Sequence, residues 1–199
     1  MADRNVPMLG DVPRKLKDMG DGSFAEVVSA ALVRVDGSAI GGAGIVASAS
    51  FTPAAAAYGA ADIVDVAKQF SWTYADSGLA IPTGSLIRVT AAIMKIDATA
   101  VISGETSYTL HNYSVTPPSA QADNAAWTLA SADLPSYLGS FSLGTPADLG
   151  AALYIKTTGL TEEIKLADGV TSHYGELVTV GAFTAAAVAR QVLLRGFVL

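Results

Sequence analysis

From residue 62 onward, apolar and polar side chains alternate with a period close to two, the spacing of a β-strand with one buried face. Phe70, Trp72 and Tyr74 fall on one side of a strand predicted over residues 69–75. Residues 85–97 make the longest candidate, with Ile87, Val89, Ala91 and Ile93 on one face and Arg88, Thr90 and Ala92 on the other. Further strands are predicted over 106–115, 127–129, 136–143, 151–157, 162–166, 174–180 and 188–198. Turn signals such as Pro82-Thr83-Gly84, Thr116-Pro117-Pro118, Thr158-Gly159 and Asp168-Gly169 separate them. Helix is confined to two short candidates, 61–68 and 185–191. Short strands punctuated by turns in this way predict an all-β fold, an antiparallel β-sandwich of jelly-roll-like type, over residues 62–199. The closing run Val192-Leu193-Leu194-Arg195-Gly196-Phe197-Val198-Leu199 is apolar enough to be tied into a sheet.

The pattern is different before residue 62. Residues 14–28 predict a hairpin in which an alternating Lys15/Lys17 strand reaches Asp21-Gly22 and returns through Phe24, Val27 and Val28. A two-stranded piece is marginal in water and needs a surface to lie on, which makes it a docking segment. Residues 37–61 carry no charge and are mostly Gly, Ala and Ser, the composition of a flexible linker. The expected organisation is therefore an extended N-terminal arm (1–36), a linker (37–61) and a β-sandwich domain (62–199).

Composition narrows the function more than the fold. Of 199 residues, 51% are hydrophobic and only 15% charged. A membrane span is not expected, because Gly41, Gly42, Gly44, Ser48, Ser50, Thr52 and Pro53 interrupt the longest uncharged run. The first residues also lack the apolar stretch of a secretory signal. Apolar excess without a span points to burial against copies of the same chain, or against a larger body. The net charge of −6 and the absence of basic clusters beyond Arg14-Lys15-Lys17 argue against nucleic acid as a partner. With no cysteine, disulfides, thiolate metal sites and cysteine nucleophiles are excluded.

No pattern in the chain specifies a reaction. His111 and His173 have no Gly-x-Ser-x-Gly elbow beside them and read as an exposed strand histidine and a loop histidine. The spacings of His-x-His or His-Glu-x-x-His are missing, so no metal or cofactor is expected. A calcium site built from loops such as Asp168-Gly169 is a minor alternative. Trp72, Tyr74, Tyr108, Tyr113, Trp127, Tyr137 and Tyr154 could form a sugar platform, although alternating strand aromatics more commonly fill a core.

The stretch Leu16-Lys17-Asp18-Met19-Gly20-Asp21-Gly22-Ser23-Phe24-Ala25-Glu26-Val27-Val28 resembles a phrase near the start of tailed-bacteriophage virion proteins. Gly59–Asp65, Leu110–Ala120 with Ala122–Trp127, and Tyr137–Ser140 resemble small structural proteins of the same phages. The resemblance implies a non-enzymatic virion component on the capsid exterior, as a head decoration, minor capsid protein or short head fibre. Its expected partners are the major capsid protein and itself, as a homotrimer. Its anchor would be the N-terminal segment, with Arg14, Lys15, Leu16, Lys17, Phe24 and Val27 as the gripping residues. The alternative is a receptor- or glycan-binding module of the neck, tail or fibre tip.

Overall fold

The computed structural model describes residues 44–199 and, N-terminal to them, the backbone of three short strands. The chain divides into two units, Met1–Gly41 and Gly42–Leu199. In the first unit, β1 (Arg4–Val6), β2 (Arg14–Asp18) and β3 (Phe24–Glu26) form a three-stranded antiparallel sheet with β2 in the middle. Arg4 stands opposite Leu16, and Asp18 opposite Phe24. The hairpin expected over residues 14–28 corresponds to β2 and β3, while its Val27 and Val28 lie outside the described residues.

The second unit is all-β and sandwich-like. Its strands are β4 (Ile45–Phe51), β5 (Ala57–Tyr58), β6 (Ile63–Ser71), β7 (Thr73–Tyr74), β8 (Leu86–Ile96), β9 (Tyr108–Tyr113), β10 (Tyr137–Gly144), β11 (Ala147–Asp148), β12 (Leu153–Thr158), β13 (Glu163–Lys165), β14 (Ser172–Thr179), β15 (Phe183–Thr184) and β16 (Arg190–Val198). One sheet runs β11-β12-β8-β16-β4-β7, with β13 also on β8, and the other runs β10-β9-β14-β6. A small β15-β5 pair lies beside them. Every pairing is antiparallel. Among the described residues the only helical turn is a 3₁₀ turn at Leu134–Ser136.

The core lies between the two sheets. Ala47, Phe51, Val192, Leu194, Met94 and Ile155 come from the larger sheet, and Phe70, Leu110, Phe141 and Leu177 from the smaller. Phe51 and Phe70 meet across the gap with ring centroids 6.2 Å apart. Phe70, Trp72 and Tyr74 are all buried, as their alternation predicts.

Four sequence expectations are corrected. Residues 45–51, assigned to the linker, form β4, an interior strand hydrogen-bonded to β16 and β7. Period two is present there but written in small side chains: Ile45, Ala47 and Phe51 are buried while Ser48 and Ser50 are exposed. The candidate helix 61–68 is largely β6, where β-branched Ile63, Val64 and Val66 favour the extended chain. In the candidate helix 185–191, residues 185–189 are irregular and Arg190 and Gln191 begin β16; the Ala186 and Val188 carbonyls accept hydrogen bonds from Arg190 Nη1. Residues 127–129 are likewise not a strand.

The face assigned to β8 also changes midway. Arg195 pairs with Ala91 but Gly196 pairs with Val89, so Thr90 is an extra residue. A one-residue bulge reverses the facing of everything beyond it. Ile87 and Val89 therefore share the core side with Ala92, Met94 and Ile96, not with Ala91 and Ile93. Gly196 is needed at this bulge, because a Cβ there would collide with the Arg88 carbonyl oxygen.

Candidate functional site

The outer face of the smaller sheet carries the densest group of polar and aromatic side chains. In β9 and β14, His111 stands opposite Glu176 and Tyr113 opposite Tyr174. Period two places all four on the face turned away from the core residues Leu110 and Leu177. A cover made of residues 114–136 lies over this face. Its middle is sewn to the start of β6 by the backbone bonds Asn124 N to Ile63 O (2.8 Å), Ile63 N to Ala125 O (2.9 Å) and Trp127 N to Ala61 O (2.7 Å). The buried Asp133 carboxylate accepts from the Ser119 N–H (2.9 Å) and hydroxyl (2.6 Å), closing the loop on itself.

Trp127, carried by this cover, stacks on His111 with centroids 3.7 Å apart. Its Nε1 donates to the Tyr113 hydroxyl (3.2 Å), which donates to Glu176 Oε2 (2.9 Å). His111 Nδ1 is 3.1 Å from the Tyr137 hydroxyl. Burial pushes His111 down to about 4, so its ring is neutral at pH 7. Burial pushes the Glu176 carboxyl up, partly opposed by the Tyr113 hydrogen bond. Glu176 Oε1 is buried and has no hydrogen-bond partner.

A second irregularity shapes the space beside Glu176. Lys68 pairs with Gly175 and Val64 with Leu177, so Asp65, Val66 and Ala67 all stand opposite one residue, Glu176. Asp65 takes the left-handed φ of 67° that this bulge requires. It is held there by its N–H to Asp123 Oδ1 (2.6 Å), by the Thr52 N–H to its Oδ2 (2.8 Å) and by Lys68 (2.9 Å). The bulge leaves a cavity of about 140 Å³ between β6 and the cover, bounded by Val66, Ala67, Thr116, Pro117, Ala120, Gln121 and Glu176.

The other histidine belongs to the interior. Trp72 Nε1 donates to His173 Nδ1 (3.0 Å), so Nε2 carries the proton, 3.2 Å from Asn112 Oδ1. Phe70 and Trp72 stack on the ring, and burial pushes its pKa down to about 3. The expectation of one exposed and one loop histidine is therefore corrected: both are buried strand residues. A separate buried cluster joins Arg190 to Glu105 and Tyr108, with the guanidinium near the faces of Tyr108 and Phe183.

Of the seven aromatics considered as a sugar platform, Trp72, Tyr74, Tyr108 and Tyr113 are buried. Trp127, Tyr137 and Tyr154 are partly exposed. Asp168 extends into solvent 3.9 Å from Lys165. Among the described residues no group of three or more His, Cys, Asp or Glu side chains could hold a metal ion, and no helix is long and apolar enough to cross a membrane. Arg14, Lys15, Leu16 and Lys17 lie on β2 and Phe24 on β3, while Val27 lies outside the described residues. Glu176 was missed by sequence reasoning; its only local signal was a charge within a predicted strand, directly before the apolar pair Leu177-Val178. Comparison with protein-family models, with curated proteins and with solved structures gave no match.

Proposed function

We propose that this chain is a non-enzymatic structural protein of a tailed-bacteriophage virion, decorating or stabilising the capsid exterior. In this reading residues 1–36 grip the major capsid protein and the β domain assembles as a homotrimer. The observation that carries it is strand order. The chain passes from β4 in the larger sheet to β6 in the smaller, back to β8, across to β9 and β10, and then alternates through β12, β14 and β16. Taking these eight strands, the orders β12-β8-β16-β4 and β10-β9-β14-β6 are those of two interleaved Greek keys. That supports a jelly roll, an arrangement that recurs in viral capsid and lectin domains. The step from fold to role is an analogy, supported by the phage-like phrases in the sequence.

The test is binding to virions of the phage that encodes the chain. Full-length protein should decorate them in high copy, and protein lacking residues 1–36 should not. Full occupancy by the truncated form sinks the anchor assignment. Light scattering on the full chain and on residues 44–199 tests assembly: trimers in both support the β domain as the trimerising part, and monomers in both remove the trimer.

A second reading, a glycan- or receptor-binding module at the neck, tail or fibre tip, is favoured by the partly exposed Trp127 and Tyr137 around His111. Low copy number per virion together with a glycan-array signal lost on Trp127→Ala would replace the first reading with this one.

A further inference from the structure

The cations of the β domain fall into two groups. Residues 44–199 hold seven Lys and Arg against twelve Asp and Glu. Four of the seven are matched to a carboxylate: Lys68 to Asp65, Arg88 to Glu163, Lys165 to Asp168 and Arg190 to Glu105. The other three, Lys95, Lys156 and Arg195, form no ion pair among the described residues, and all three are exposed. They also share one surface. Along β12, β8 and β16 they alternate with the core residues Ile155, Met94 and Leu194, which puts them on the outer face of the larger sheet.

The strand register arranges that face in rows. Lys156, Ile93, Leu193 and Ser48 stand side by side across β12, β8, β16 and β4. Lys95 lies in the next row toward one end, beside Tyr154, and Arg195 in the next row toward the other. None of the twelve outward positions in these three rows is a carboxylate. Asp97 follows the end of β8 but forms no ion pair with Lys95. An apolar centre, Ile93 with Leu193, ringed by polar and charged side chains is the anatomy of a protein–protein contact. A face evolved only for water mixes both signs.

We propose that this face is the subunit contact of the homotrimer, seated on an acidic surface of the next copy. The inference rests on the trimer reading given above. The complementary charge is present in the chain itself: away from this face the β domain has eight more carboxylates than cations, and only Asp133 and Glu176 of that surplus are buried. Two copies of the face cannot meet each other, because that would set three unpaired cations against three more. The contact is therefore heterologous, the kind that closes into a ring. Area agrees with a ring. Twelve positions at sheet spacing cover about 400 Å², half of the roughly 800 Å² per partner of a standard stable interface. One contact is too small to hold a dimer, but in a closed trimer each copy is held twice.

The experiment measures the concentration of half-assembly by light scattering, on full-length protein in 50 mM and 500 mM sodium chloride. Wild type should be trimeric at low salt, with its midpoint raised about tenfold or more at high salt, because opposite charges at the contact are screened. Lys156→Glu/Arg195→Glu should be monomeric at concentrations where wild type is fully assembled. Both side chains are exposed, and an unchanged thermal melt confirms that the fold is intact. Lys165→Glu, a reversal off this face, should leave the midpoint within about threefold of wild type. A trimer whose midpoint the double variant shifts by less than threefold overturns this interface and leaves the trimer reading standing. Assembly that strengthens with salt overturns the heterologous arrangement, since it would mean like charges in contact. A monomeric wild type at every concentration removes the trimer and this interface together.

Discussion

Arg190 Nη2 stands 3.0 Å from Glu105 Oε1, with neither side chain in contact with solvent. All three guanidinium nitrogens are engaged: Nε donates to Tyr108, Nη1 to the Ala186 and Val188 carbonyls and Nη2 to Glu105. Glu105 Oε2, by contrast, is buried without a partner. The pair is thus balanced in charge but not in hydrogen bonds, and losing either member strands the other.

Arg190→Met should destabilise the β domain by about 3–5 kcal/mol, because it leaves a buried carboxylate uncompensated. Adding Glu105→Gln should recover part of that loss, so the double variant costs less than the two singles together. Urea unfolding of the four proteins measures both. A single-variant cost under about 1 kcal/mol would mean the pair contributes no more than a surface bridge.

Gly196→Ala should be among the more damaging small substitutions in the chain, at about 2–4 kcal/mol, since the new Cβ meets the backbone oxygen of Arg88. Gly44→Ala, with open space around its Cβ position, should change stability by less than about 0.5 kcal/mol. Thermal melts of the two variants make the comparison, and similar melting temperatures would contradict the bulge geometry.

Acid should weaken the fold above the range where carboxylates titrate. His173 and His111 are held near 3 and 4, below the ordinary 6.5, so between those values the unfolded chain binds protons that the native chain does not. Stability is then lost as pH falls from about 6.5. Glu176 works the other way: its raised carboxyl takes up a proton in the native state first, which offsets part of the loss at the acid end. Urea midpoints at pH 7 and pH 5 should differ in the wild type and differ less in His173→Gln. Equal wild-type midpoints would rule out neutral buried imidazoles.

Asp123 ties three segments together: its carboxylate accepts from the Tyr58 hydroxyl (2.7 Å), the Ala54 N–H (3.0 Å) and the Asp65 N–H (2.6 Å). Asp123→Ala should cost about 1–3 kcal/mol. Hydrogen exchange at the Ala54 and Asp65 amides should accelerate before the core strands respond, and unchanged protection there would dismiss the carboxylate as a staple.

Most strands were legible because their apolar residues are large and their turns are marked, as with β8, β9 and β14. β4 was not, since Ala47 and Ala49 against Ser48 and Ser50 carry the right alternation in side chains too small to register as a hydrophobic signal. The bulge at Thr90 depends on what Gly196 faces across the sheet, which no local window contains. The burial of His111 and Glu176 likewise comes from a cover that folds back from residues 114–136. A reading of β9 or β14 alone sees one polar face and assigns it to water.

The position of β16 between β8 and β4 has a kinetic consequence. The two halves of the larger sheet have no hydrogen bonds to each other until residues 190–198 come between them, and β16's partners lie far earlier in the chain. So high a contact order places folding on the slow side, in roughly the millisecond-to-second range. Until then β4 and β8 present unpaired edges, and a chain stalled on the ribosome before residue 190 would be held at its most aggregation-prone stage.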